Sequence, residues 1–234
     1  MNGSHTNIFG RRFIAVVGSV VALVSLVSMA APVAVSGVAA QKVVGQNPSA
    51  VIIPDIDPLA FAANQALEQL RDDLVRFDGS AEITHSFIRL RRATAEQVAD
   101  RLDLDPDELE AAWADSDINH QTALLAALTQ VGTPYKRFTM KPGIGFDCSG
   151  LTSFAWSQAG FSIPRNSTQQ IRAADPRTPD TAQAGDLLRY PGHVMMWLGV
   201  GQAVIHSPRP RQFVEVKILA PRSMKRSTFG DPTE

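Results

Sequence analysis

Cysteine is almost missing from this chain: Cys148 is the only one. An internal disulfide is therefore excluded, and a lone thiol needs another reason to be there. Net charge is also missing, with 22 basic against 23 acidic side chains. Nothing in that balance suggests a polyanion partner, so no nucleic acid is expected. There is no internal repeat and no low-complexity tract beyond residue 40. No pair of Cys, His or acidic residues has the close spacing of a metal motif, so no metal and no cofactor is expected. Charge is wholly absent from Phe13 to Ala40, directly after Arg11 and Arg12. That pattern reads as an export signal at residues 1–40, with Ser28-Met29-Ala30 and Val38-Ala39-Ala40 as alternative small-x-small cleavage sites. Left uncut, the same stretch is long enough to span a bilayer as a signal anchor. Either way the remainder is expected outside the cytoplasm, secreted or membrane-anchored. No cysteine lies beside the segment, so a lipid-modified cysteine anchor is not expected.

The rest of the chain divides into a linker at 41–58, a helical segment at 59–116 and a mixed domain at 117–234. The linker holds Gly45, Asn47, Pro48, Pro54 and Pro58. From Leu59 to Phe77, Leu59, Ala63, Leu67, Leu70 and Leu74 fall on one helical face. Asp78-Gly79-Ser80 ends that helix. Ile83 to Arg92 is ambiguous, a short helix at most. Thr94-Ala95-Glu96-Gln97 reads as a capping box opening a helix to Leu102. Asp105-Pro106-Asp107-Glu108 reads as a second one, opening a helix to Trp113. This pair resembles a helix-turn-helix, but its second helix carries Asp107, Glu108, Glu110 and Asp115, which would repel phosphate. A further helix is expected from Asp117 to Val131, ended by Gly132 and Pro134.

The texture then changes. Cys148 sits in Phe146-Asp147-Cys148-Ser149-Gly150-Leu151, after the bend-forming Lys141-Pro142-Gly143-Ile144-Gly145. Leu151, Phe154 and Ala155 mark one helical face, and Gly160 supplies the stop. The sulfur is thus expected in the first turn of a helix. A helix N-terminus favours thiolate over thiol, and a thiolate is the nucleophile of acyl transfer. A helical turn is expected at Ser167 to Arg172. Strands are expected at Asp186 to Tyr190, His193 to Leu198, Ala203 to His206 and Phe213 to Ile218, the last with Glu215 and Lys217 on a wet face. Helices first and antiparallel strands after make an α+β fold.

A cysteine nucleophile needs a base, and the base an orienting partner. If Leu198 pairs with Ala203, His206 stands opposite Met195, two residues from His193. A tighter turn sets His206 directly across from His193. Both registers put the two histidines on one side of the sheet, with Cβ atoms about 7 Å or about 5 Å apart.

The segment Leu128 to Glu215 resembles the NlpC-type cell-wall peptidases, a bacterial branch of the papain-like cysteine peptidases. The matching pieces, in order, are Gly132-Thr133-Pro134-Tyr135, Asp147-Cys148-Ser149-Gly150-Leu151, Ile163-Pro164-Arg165-Asn166-Ser167, Ala184-Gly185-Asp186-Leu187, Gly192-His193-Val194 and Val204-Ile205-His206. The resemblance implies a papain-like catalytic domain with Cys148 as nucleophile, His193 as general base and His206 as orienter. It implies that Tyr135 lies near the thiolate, that Asp147 and Ser149 hold a substrate amine, and that Arg165 reads a substrate carboxylate. The implied substrate is the peptidoglycan stem peptide, often cut at the D-glutamyl to diaminopimelyl bond. One departure is Lys136-Arg137-Phe138-Thr139-Met140, where the family often has a glycine pair. An amidase or acyltransferase on the same scaffold, or a non-catalytic wall-binding protein, is the alternative. The helices at 59–116 are expected to pack beside this domain and limit access to its cleft.

Overall fold

The computed structural model describes residues 56–76 and 83–233. The expected signal, almost all of the linker and the Asp78-Gly79-Ser80 stop lie outside the described residues. Among the described residues no helix is long and apolar enough to cross a membrane.

Helix α1, Pro58–Arg76, opens where the Asp57 carboxylate accepts the Leu59 N–H at 2.9 Å. It buries Leu59, Ala63, Leu67 and Leu70 of the expected stripe, leaves Leu74 half-buried and buries Ala66 as well. Helix α2 runs unbroken from His85 to Leu102. The break expected at Thr94 is absent. The Thr94 hydroxyl donates to the Leu90 carbonyl one turn back, at 2.8 Å, which satisfies it inside a continuing helix. The true N-cap is Thr84, which accepts the Phe87 N–H and is itself held by the Asp73 carboxylate. Helix α3, Pro106–Asp115, starts at the expected box, with Asp105 as cap and Pro106 in the first turn. Helix α4, Ile118–Leu128, is buried from His120 to Leu128, so it has no wet face and is the axis of the helical layer.

A two-residue hairpin follows, β1 (Met140–Lys141) against β2 (Gly145–Phe146). It delivers the chain to α5, Cys148–Gln158, capped by Asp147. Helix α6, Ser167–Ala173, takes the place of the expected turn. The main sheet contains β3 (Asp175–Arg177), β4 (Leu187–Tyr190), β5 (His193–Trp197), β6 (Ala203–His206), β7 (Glu215–Ile218) and β8 (Thr228–Asp231), with a short α7, Pro221–Met224, before the last strand. All pairs are antiparallel, in the order β3-β8-β4-β5-β6-β7. Two of these strands, β3 and β8, are not apparent from residue patterning. They are short, and Pro176 and Gly230 interrupt any alternation.

One core runs from Leu59, Val98 and Trp113 through Leu124 and Leu128 to Leu151, Val194 and Ile205. A second cluster, with Leu188, Met195, Trp197 and Phe229, covers the other sheet face. Every residue of β5 is therefore buried. The helices α1–α3 share the first core with α4, α5 and the sheet. Arg91 of α2 is buried and bonds Glu110 of α3 and Gln121 of α4, both at 2.8 Å. The Trp113 indole donates to the Leu198 carbonyl at 2.8 Å. That carbonyl lies at the end of β5 away from His193, about 16 Å off at the usual rise of a strand.

Candidate active site

Cys148 is the first residue of α5 and half-buried. Its position is set by hydrogen bonds on both sides. The Phe146 carbonyl accepts from the Ser207 hydroxyl at 2.8 Å, which ties the residues before Cys148 to the end of β6. The Asp147 carboxylate accepts the Gly150 N–H at 2.7 Å and the Phe138 N–H at 2.7 Å. The Asp147 carbonyl accepts the Leu151 N–H at 3.0 Å. The N–H groups of Cys148 and Ser149 are left outside the ladder of the helix, as at any helix start. Gly150 is required here for space. A Cβ would run into the Thr139 backbone carbonyl and lie 2.9 Å from Asp147 Oδ1.

His193 opens β5 and His206 closes β6, both buried. Met196 pairs with Ile205 and Leu198 bonds Ala203, so the sheet adopts the wider of the two registers. The rings meet on the diagonal, with His193 Nε2 and His206 Nδ1 2.8 Å apart. Burial pushes the His193 imidazole down to about 3, with the neighbouring His206 adding to it. Burial also pushes His206 down to about 4, helped by the Lys217 ammonium. Both rings are therefore neutral at ordinary pH. The other His206 nitrogen, Nε2, lies 3.2 Å from Glu215 Oε1, and Lys217 Nζ is 3.8 Å from the same oxygen.

Two tyrosines lie within electrostatic reach of Cys148. The Tyr135 hydroxyl is raised by burial first, with its electrostatic interaction with Cys148 and then Asp147 adding to it. Tyr190 is raised in the same order, by burial and then by Cys148. Its ring lies 5.4 Å from that of His193, directly across the Pro191-Gly192 turn. Motif reading does not reach Tyr190, although its hairpin register with His193 signals it. Glu215 reads in the sequence only as a wet-face residue, because its partner becomes visible only with the register of β6 and β7.

The expected substrate contacts are brought together, but around one another. Arg165 donates to the Asp147 carboxylate at 2.9 Å and to the Ser149 hydroxyl at 2.9 Å. Arg165 is thus not a free reader of carboxylates, nor is Asp147 an unpaired receptor for an amine. The sequence separates these residues by about one helix and a loop, which hides the pairing. The exposed edge of Arg165 lines two cavities of about 320 Å³ each. One also has Phe138, Ser149, Asn166 and Gln169 on its wall, and the other Met140, Ser153, Phe161 and Ile163. The Lys136–Met140 loop departs from the family pattern but is anchored. Phe138 holds a left-handed backbone, with φ 56°, and leaves its ring exposed. Neither cavity is lined by α1–α3. These helices pack on α4, and Trp113 of α3 reaches the Leu198 end of β5.

A second buried histidine lies in the same fold. His120 of α4 has Nδ1 2.7 Å from Asp117 and Nε2 3.0 Å from Asp186, with Asp231 at 3.6 Å. Burial alone would lower this imidazole. The hydrogen bond to Asp186 and the charges of Asp117, Asp186 and Asp231 outweigh that and raise it. His120, Asp186 and Asp231 place ligand atoms within 4.8 Å of one another, a spacing a cation fits. Arg177, which donates to Asp231 at 2.8 Å, already supplies positive charge there.

Comparison with known proteins places part of the chain in a family. The model of the NlpC/P60 family matches residues 132–231. A protein of Corynebacterium glutamicum named a probable endopeptidase is 41% identical over 107 residues, 44% of this chain and 50% of that one. The peptidoglycan endopeptidase RipB of Mycobacterium tuberculosis is 46% identical over 63 residues, 25% of this chain and 26% of its own. The chain spans about half or less of the length of these curated relatives. A solved NlpC/P60 family protein from Bacillus cereus is 29% identical, covering 48% of this chain and 39% of that one at a TM-score of 0.44. Residues 132–231 of this chain are an NlpC/P60 family domain.

Proposed function

We propose that this chain is a secreted cysteine endopeptidase that hydrolyses peptide bonds in peptidoglycan stem peptides. The observation that carries the chemistry is a half-buried thiol at the start of α5, a helix packed against the strand that His193 opens, together with a buried, neutral pair of imidazoles. In this reading Cys148 is the nucleophile, His193 the base and His206 the orienter. Cys148 gives its proton to His193 and the sulfur attacks the peptide carbonyl. The free N–H groups at the helix start stabilise the oxyanion. His193 then protonates the leaving amine and afterwards activates the water that cleaves the thioester. The low position of His193 suits a base that is unprotonated before attack. Tyr135 and Tyr190 lie within electrostatic reach of Cys148 and would meet the acyl group. Ser149, Asp147 and the exposed edge of Arg165 would meet the flanking substrate residues.

The substrate class is supported by the names of relatives. One from Bacillus subtilis is a bifunctional muramidase/DL-endopeptidase, 30% identical over 106 residues. The bond between D-glutamate and diaminopimelate is the proposed target. The uncharged stretch from Phe13 to Ala40 behind Arg11 and Arg12, read as an export signal, supports secretion and action on the wall. Digestion of purified peptidoglycan followed by mass spectrometry tests this reading. New termini at D-glutamate and diaminopimelate are expected. Fragments cut between sugar and peptide, or no fragments, would overturn it.

A further inference from the structure

We propose that Glu215 sets the tautomer of His193 through His206, and so fixes Nδ1 of His193 as the nitrogen that takes the Cys148 proton. The proposal rests on the reading of Cys148 and His193 as nucleophile and base. It adds a positioning residue that the sequence motifs do not contain.

A carboxylate can only accept a hydrogen bond, and a neutral imidazole has one N–H and one bare nitrogen. Glu215 Oε1 faces His206 Nε2 at 3.2 Å, so Nε2 carries the hydrogen of that ring. His206 Nδ1 is then bare. It lies 2.8 Å from His193 Nε2, and a contact of that length needs one hydrogen between the two nitrogens. The hydrogen must come from His193 Nε2. His193 Nδ1 is then the bare nitrogen, and it is the one not engaged with His206. The opposite assignment would set a bare nitrogen against a carboxylate oxygen and a proton on the nitrogen that must accept one. Both rings are buried and neutral, so each has only these two states. The backbone holds the relay in line, because Glu215 stands directly opposite His206 in the pairing of β6 with β7. Lys217, two residues on, approaches the carboxylate and disfavours a positive His206. The proton step balances: the S–H bond breaks, an N–H bond forms at Nδ1, and the N–H at Nε2 stays in place throughout.

The test is the tautomer itself, read by long-range ¹H–¹⁵N correlation in the full chain carrying Cys148→Ala, so that no thiolate perturbs the ring. In that parent, His193 is expected to show a bare Nδ1 and a protonated Nε2. Glu215→Gln keeps an acceptor and should keep the pattern. Glu215→Leu removes it and should give a mixture. Glu215→Lys places a donor there and should invert both rings. With Cys148 restored, kcat/KM on a stem peptide should fall about ten-fold for Leu, which leaves a mixture, and toward the about 10⁴-fold loss of a wholly wrong tautomer for Lys. The loss should lie in kcat, with KM little changed. Glu215 is half-exposed on an edge strand, so the variants should melt close to the parent. A protonated Nδ1 in the parent, or one pattern shared by the parent, Leu and Lys variants, would overturn the proposal. If the tautomers follow the expected series but no stem peptide is cleaved, the proposed function fails and the relay stands.

Discussion

The fold buries histidines in two places and treats them in opposite ways. His120 is enclosed by Asp117, Asp186 and Asp231 and is raised despite complete burial. His193 and His206 are buried to nearly the same degree, yet are pushed down to about 3 and about 4. The carboxylate that meets the second pair is the half-exposed Glu215, and Lys217 offsets it. Burial is thus common to both sites and does not decide charge. What decides is whether negative groups surround the ring closely enough to outweigh lost solvation. The first site favours the protonated form of a ring that links α4 to β8 and to the turn before β4. The second keeps its imidazoles neutral, which is what a proton acceptor needs.

Substitutions should therefore separate the two sites by what they destroy. Cys148→Ala and His193→Ala are expected to cut hydrolysis by at least about 10⁴-fold, as when either member of a nucleophile–base pair is removed. Their melting temperatures should stay near that of the parent. A His193→Ala variant that keeps most of its rate would break the assignment. A chain starting at Ala114 tests the other half of the fold. It loses α1–α3, exposes Leu124 and Leu128 of α4, and leaves the Leu198 carbonyl without Trp113. It is expected to lose cooperative unfolding by calorimetry. A well-folded, faster enzyme would instead support the expectation that these helices restrain the cleft. His120→Leu should cost about 3–5 kcal/mol in urea unfolding, because it strands buried carboxylates without their cation. In the fraction still folded, hydrolysis should be close to normal.

The difference between the sites also explains how much is legible in the sequence. The helix after Cys148 is readable because a local cap and an apolar face specify it. The diagonal of His193 and His206 is readable because a short hairpin permits few registers. His120 looks like one more residue of an apolar helix. Its partner Asp186 lies 66 residues away, and Asp231 sits in a four-residue strand with no alternation to announce it. Glu215 is visible as a wet-face residue, but its pairing with His206 depends on how the chain returns after Ser207. Thr94 looks like a cap because its hydroxyl can serve a helix start or a helix interior equally well. Local grammar is legible, and contacts closed by distant strands are not.

Each buried site also has one glycine that lets backbone come close, and these offer a finer comparison. Gly150 stands beside Cys148, and its substitution would press on the Thr139 carbonyl. Gly185 holds φ +106° before Asp186, and a Cβ there would lie 3.0 Å from the His120 carbonyl oxygen. Either change to Ala should destabilise by about 1–3 kcal/mol, the usual cost of overpacking. Gly150→Ala should also lower kcat by displacing the helix start, whereas Gly185→Ala should leave the kcat of the folded fraction near normal. Equal effects on kcat would mean that the two sites are mechanically coupled.

The smallest effect is also the most direct test of opposite charge. His120 has a raised position in the folded chain. Its share of stability is fully present below its unfolded value of 6.5, and is lost as pH rises through the higher folded value. His193 and His206 are lowered. Below 6.5 the unfolded chain takes up protons that the folded chain refuses, so their share is lost as pH falls from 6.5 toward about 4 and about 3. One refused proton changes stability by about 1.4 kcal/mol per pH unit in that window. Carboxylates titrate at the acid end as well, so the quantity to follow is each variant minus the parent. Urea midpoints for His206→Gln should improve relative to the parent between pH 6.5 and pH 5, because one source of acid sensitivity is gone. For His120→Gln the deficit should be greatest below pH 6.5 and should shrink as pH rises, since the parent then loses the cation as well. Two difference curves of the same slope would show that both regions hold their histidines in one charge state, and the contrast between staple and base would be lost.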